Sequence, residues 1–210
     1  LASSDYLARF GRRPAGMWPA EGAVSSDAVQ MIGRERIGWL ATDAGVLARS
    51  GQWGYRASEP AVLCQPYRSS DDATAVALFF RDTDLSDGIG FRYGQYADAQ
   101  VAVQEFLRTI ETRFLDRLAG GDDQVLTIVL DGENAWDHYE GQGRPFLRAL
   151  YGRLETHPSV RTVTMAEACA AGWGLAILPT FLAERRSSLE RVLPAVGLPA
   201  ELWLVVHPDL

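Results

Sequence analysis

Val125-Leu126-Thr127-Ile128-Val129-Leu130, followed without a break by Asp131-Gly132-Glu133-Asn134-Ala135-Trp136, carries the architecture of this chain. The first six residues are apolar or β-branched with no polar alternation, which is the pattern of a buried strand. Two carboxylates, Asp131 and Glu133, come directly after it, separated by a glycine that lets the backbone turn sharply. Acids clustered where a buried parallel strand ends, beside an indole, point to sugar chemistry. Carboxylates serve as acid, base or nucleophile, and a flat indole stacks on a pyranose face. The same residues also fit a helix N-cap acid followed by a core tryptophan. A second acidic stretch far upstream, Gly16-Met17-Trp18-Pro19-Ala20-Glu21-Gly22, favours the chemical reading.

Composition bounds the rest. The chain has 210 residues, 47% hydrophobic and 22% charged, enough for one domain with a sizeable core. A net charge of −7 and a pI near 5.0 argue against nucleic acid or an anionic membrane as main partner. Cys64 and Cys169 have neither metal-ligand spacing nor the makings of a disulfide framework, so a reduced, cytoplasmic setting is expected. No apolar run is long enough to span a bilayer, and Leu1-Ala2-Ser3-Ser4-Asp5-Tyr6 lacks the features of a signal peptide. The first residue is not methionine, and the chain is expected to be a processed or cut piece.

Outward from the central stretch, strands alternate with helices. Residues 5–10 read as the end of a helix and 15–19 as a short strand, with Glu21 just past it, where β/α proteins carry their reactive groups. Ser25-Ser26-Asp27 is a capping signal for a helix over 28–36, and 37–43 read as a strand ending in Asp43. Residues 51–60 read as loop, and 61–67 and 75–80 as strands. The second of these runs into Arg81-Asp82 and Leu85-Ser86-Asp87-Gly88-Ile89-Gly90-Phe91. Val103, Phe106, Leu107, Ile110, Phe114 and Leu118 recur at helical spacing and predict a helix over 97–118, ended by Gly120-Gly121. A further helix is predicted over 145–155 and a short strand over 160–164. Such alternation implies a parallel β/α architecture.

Four motifs then carry a family resemblance: Trp18-Pro19-Ala20-Glu21-Gly22, Trp39-Leu40-Ala41-Thr42-Asp43, Phe80-Arg81-Asp82 with residues 85–91, and Leu130-Asp131-Gly132-Glu133-Asn134-Ala135-Trp136. In this order they resemble glycoside hydrolase family 57, retaining α-glucan enzymes of the α-amylase and amylopullulanase type. Phe146-Leu147-Arg148-Ala149-Leu150-Tyr151 is similar to the helix that follows the acid motif there. The resemblance covers about residues 5–168. It implies an α/β fold, an incomplete TIM-like barrel of parallel β/α units, with an α-glucan or oligosaccharide as substrate and no cofactor. It also implies Glu21 as nucleophile and Asp131 as general acid/base. A retaining glycosidase needs one ionised and one protonated carboxyl about 5–5.5 Å apart, and the charge of Glu21 would help keep Asp131 protonated. The other reading of Glu21 is a helix N-terminal acid.

Trp18, Trp39 and Trp136 are candidates for sugar-stacking platforms or for plain core. Glu133, Asp43, Arg81, Asp82 and Asp87 are candidates to bind sugar hydroxyls or orient Glu21, while an Arg81–carboxylate ion pair with a structural role is the alternative. His138 is a solvated loop residue or a substrate contact. His157 and His207 are isolated, and no metal site is expected. Two departures from the family stand out. Its first strand, with a histidine-containing motif, has no counterpart here, and its later motif rich in tryptophan, glycine and asparagine is absent after Thr164. Instead, residues 170–179 and 189–210 resemble the end of the effector-binding domain of LysR-type regulators; an ordinary β/α/β ending is the alternative. The expected organisation is a catalytic-core segment over 1–168 and a tail of different ancestry over 169–210. The corresponding functional expectation is an α-glucan-active enzyme, truncated or fused and with little activity as this chain alone, against a small-molecule-binding module without catalysis. Amylase, pullulanase, branching and transferase specificities remain open, as does oligomeric state.

Overall fold

The computed structural model describes residues 1–50, 54–69, 75–118, 124–130, 136–170 and 202–205. Helix α1 (Ala2–Phe10) stops at Gly11, whose φ of 66° supplies the left-handed residue that ends a helix. Strand β1 (Gly16–Met17) leads through one tight turn, Ala20–Gly22, to α2 (Ser26–Arg34). The Ser25 hydroxyl caps α2 by accepting from the Ala28 amide at 3.2 Å. Strand β2 (Trp39–Asp43) runs straight into α3 (Ala44–Arg49). A 3-10 stretch at Gly54–Ser58 precedes α4 (Pro60–Leu63), β3 (Tyr67–Arg68) and β4 (Ala77–Arg81). Asp82 caps α5 (Thr83–Asp87), and two irregular turns over Gly88–Gln95 lead to α6 (Ala99–Ile110). One π-helical turn, Glu111–Leu115, carries α6 into α7 (Asp116–Leu118). Then follow β5 (Gln124–Thr127), α8 (Arg144–Glu155), β6 (Val160–Val163), α9 (Met165–Ala170) and β7 (Leu202–Val205).

These strands form one sheet in the order β1-β2-β4-β5-β7-β6, parallel throughout, with β3 pairing antiparallel to β4. The fold is therefore mixed α/β around a mainly parallel sheet. Period-2 alternation assigns the two faces. Leu40, Leu78, Phe80 and Leu126 face the helices: α2 covers one end through Val29, and α6 and α8 cover the rest through Phe106, Ile110, Phe146 and Leu150. Ala41, Phe79, Val125 and Val129 face the other way, where Met165 and Ala168 of α9 pack on them with Trp18 and Trp39 alongside.

Two expectations are corrected here. Residues 61–67 do not form a strand. Pro60 sits at the first turn of α4, the helical position a proline favours. Pro66, which has no amide hydrogen to give a ladder, leaves only Tyr67–Arg68 as strand. Part of the presumed loop 51–60 is helical, over Gly54–Ser58. In the tail, β7 lies inside the sheet, hydrogen-bonded to β5 on one side and β6 on the other. Residues 171–201 of the tail lie outside the described residues.

Candidate active site

Parallel register aligns the strand ends that carry the motifs. Gly16 pairs with Trp39 and Met17 with Leu40, so the chain leaving β1 emerges beside β2. Asp43 pairs with Arg81, and Arg81 with Thr127, so the ends of β2, β4 and β5 share the same edge. The segments after these strands hold Trp18 to Glu21, Asp43, Arg81 to Asp87, and Val129–Leu130. Asp131 and Glu133 lie outside the described residues, immediately past Leu130.

Glu21 is exposed and its backbone is left-handed, with φ 55° and ψ 19°. Such a conformation is costly for a residue with a Cβ and clusters at functional sites. The turn is held around it. The Gly22 amide donates to the Pro19 carbonyl at 2.8 Å and the Ala23 amide to the Ala20 carbonyl at 3.0 Å. From β2, the buried Thr42 hydroxyl donates to the Gly22 carbonyl at 2.5 Å. Gly22 is also left-handed, at φ 63°, and the Trp18 ring lies so close that a Cβ there would sit 2.6 Å from an indole carbon. Backbone and ring are thus locked together while the Glu21 carboxylate projects outward.

Arg81 is the centre of the next layer. Its Nε donates to Asp43 Oδ2 at 2.8 Å, one terminal nitrogen donates to the Val129 carbonyl at 3.1 Å, and the other pairs with Asp87 Oδ1 at 3.1 Å. The guanidinium carbon lies 5.4 Å from the centre of the Trp18 ring, within cation–π range. Asp43 accepts in addition from the Gly45 amide at 2.7 Å and the Thr83 hydroxyl at 2.9 Å. Burial pushes the Asp43 carboxyl up, but the Gly45, Arg81 and Thr83 donors outweigh it, and the group titrates below the ordinary carboxylate range.

The remaining sequence candidates divide. Asp82 is 2% exposed. It caps α5 through the Leu85 amide at 2.8 Å and pairs with Arg113 at 2.5 Å; burial holds its carboxyl above the ordinary range. Trp39 lies over Gly16, and its Nε1 is buried with no hydrogen-bond partner among the described residues. Trp136 packs on the Tyr139 ring at 5.4 Å and over Gly143, beside the main core. His138 is exposed. Among the described residues, no group of three or more His, Cys, Asp or Glu is arranged to hold a metal ion. Sequence reasoning did not single out Thr42, Thr83, Gly22 or Arg113. Thr83 follows a legible cap, but the reach of Thr42 to Gly22 and of Arg113 to Asp82 crosses between elements and leaves no local signal.

An exposed carboxylate on a strained turn, backed by an arginine–carboxylate layer at the C-terminal edge of a parallel sheet, is an arrangement suited to nucleophilic or acid–base work. The crystal structure of a 4-alpha-glucanotransferase from Thermococcus litoralis has a similar fold, with a TM-score of 0.58 and 19% sequence identity. The match covers 79% of this chain and 24% of that protein, so this chain spans about a quarter of its length. None of the curated proteins matches the chain. The family model described as Glycosyl hydrolase family 57 matches residues 2–173, a stretch that contains β1 to β6 and the whole Trp18–Glu21–Arg81 arrangement, and the chain belongs to that family.

Proposed function

We propose that this chain is the catalytic-core part of an α-glucan-active glycoside hydrolase or transglycosylase that works with retention, Glu21 acting as nucleophile and Asp131 as general acid/base. The observation that carries the proposal is the shared edge: the exposed Glu21 carboxylate stands past β1, and the chain leaving β5 toward Asp131 is tied through Val129 to the same Arg81 that covers Trp18. Attack by Glu21 on the anomeric carbon forms a glycosyl ester as the Asp131 proton passes to the leaving oxygen. Water or a sugar hydroxyl then gives its proton back to Asp131 and displaces Glu21. Trp18 stands at the rim as a sugar contact, with Glu133 and Trp136 following from the acid loop. In this reading the sheet is the curved wall of an incomplete β/α barrel.

The test is kinetic, on the full-length protein with soluble starch, pullulan and an aryl maltoside. Glu21→Gln should abolish turnover, since an amide cannot form the ester. Asp131→Asn should slow starch far more than the aryl maltoside, whose leaving group needs little protonation. Full activity in Glu21→Gln removes the nucleophile, and equal losses on both substrates in Asp131→Asn remove the acid. Saccharide binding without turnover in the full-length wild type would favour a binding module instead. The 210-residue chain by itself is expected to turn over poorly; rates of roughly 1–1000 per second would refute that expectation.

A further inference from the structure

We propose that Arg81 is a positioning residue that fixes the two catalytic segments relative to one another, rather than a contact for the sugar. The inference rests on the functional reading of Glu21 and Asp131 given above.

One side chain meets the exits of four neighbouring strands. Its Nε holds Asp43 at the end of β2, and one terminal nitrogen holds the Val129 carbonyl past β5, two residues before Asp131. The other terminal nitrogen holds Asp87, in the segment that follows β4. The guanidinium carbon lies over the Trp18 ring, past β1. The Trp18 ring beneath the guanidinium also closes on the Gly22 backbone, where it leaves no room for a Cβ. The height of Arg81 above the sheet therefore sets the indole, the indole sets residues 21–22, and those residues aim the Glu21 carboxylate. On the opposite arm, the Val129 carbonyl sets where the acid loop begins.

Arginine suits the role and lysine does not. Three nitrogens must point in three in-plane directions while the guanidinium carbon lies over an indole, and a single ammonium at the end of a flexible stem cannot do both. The Arg81 side chain is 19% exposed, with every nitrogen already held by the protein, so little of it is left for a ligand.

The experiment uses the full-length protein in wild-type, Arg81→Met, Arg81→Lys and Asp87→Asn forms, read by amide hydrogen exchange and by kinetics on an aryl maltoside. In both Arg81 variants, amides of residues 20–23 and of the segment after Val129 should exchange at least about tenfold faster, while amides of α6 and α8 stay unchanged. The kcat should fall by about 100-fold, as expected for misplaced reacting groups, with KM within about threefold. Lysine should rescue little. Asp87→Asn, at a side chain 45% exposed, should give the same pattern more weakly and keeps the question answerable if Arg81→Met does not fold. Unchanged exchange in either segment overturns the proposal, as does a raised KM with normal kcat, which would make Arg81 a substrate contact. A folded wild type that turns over no α-glucan sinks the functional reading, and the exchange data then decide the clamp alone.

Discussion

Gly22→Ala is the sharpest probe of how the Glu21 turn is built. Two costs add. Gly22 has φ 63°, where a residue with a Cβ loses roughly 1–2 kcal/mol. The new methyl would also stand 2.6, 3.0 and 3.2 Å from three carbons of the Trp18 ring. Relieving that overlap means moving an indole pinned beneath Arg81, and overpacking of this kind costs about 1–3 kcal/mol. The total, about 2–5 kcal/mol, is a large part of the roughly 5–15 kcal/mol that holds a domain together. It corresponds to a fall in Tm of about 4–20 °C at this chain length. Urea melts would measure it in two backgrounds, wild type and Trp18→Ala. With the indole gone only the backbone cost survives, so the penalty should shrink to about 1–2 kcal/mol. A penalty below about 0.5 kcal/mol in the wild-type background, or the same penalty in both, would refute the close packing of the Trp18 ring on Gly22.

Two further outcomes follow from the same geometry. Glu21→Asn should abolish turnover yet raise stability by about 0.5 kcal/mol or more, because asparagine tolerates the left-handed backbone that glutamate pays to hold; thermal melts showing a clear loss of stability would contradict it. Arg113→Met should cost about 3–5 kcal/mol at pH 7.5, because it leaves the buried Asp82 carboxylate without its cation. The folded-state pKa of Asp82 is already raised, and losing Arg113 raises it further. Stability contributed by proton uptake therefore grows as pH falls through that pKa toward the unfolded value, so urea melts should show the deficit narrowing between pH 7.5 and 5. A deficit that is constant or widens in acid would show that Asp82 is not the group left uncompensated.

Much of the scaffold is legible along the chain, where its causes are local. The apolar spacing from Val103 to Phe114 requires a helix whose buried face the structure reproduces, because residues three and four apart share a face whatever surrounds them. Ser25 and Asp43 cap helices through amides two or three residues away, and Gly11 ends α1 within one turn. The order of the acidic motifs likewise placed Glu21 past a strand. Residues 61–67 depart from the expected strand because a short apolar run fits strand or helix equally, and Pro60 and Pro66 tip the balance.

Only the tertiary structure decided what those local pieces do together. The sequence shows Arg81 as a cation between acids. Its partners Asp43 and Val129 are 38 and 48 residues away and meet it because β2, β4 and β5 pair in one register. The π-helical turn at Glu111–Leu115 that precedes α7 holds the arginine paired with Asp82, and no periodicity announces it. The left-handed Glu21 is set by the Trp18 ring over Gly22 and by a hydroxyl from β2. The place of β7 between β5 and β6 depends on which strand edges remain free after the rest has paired. Capping and periodicity act within a turn or two of chain and are written there. Register, facing and pairing are settled by contacts between distant segments, and those exist only in the folded molecule.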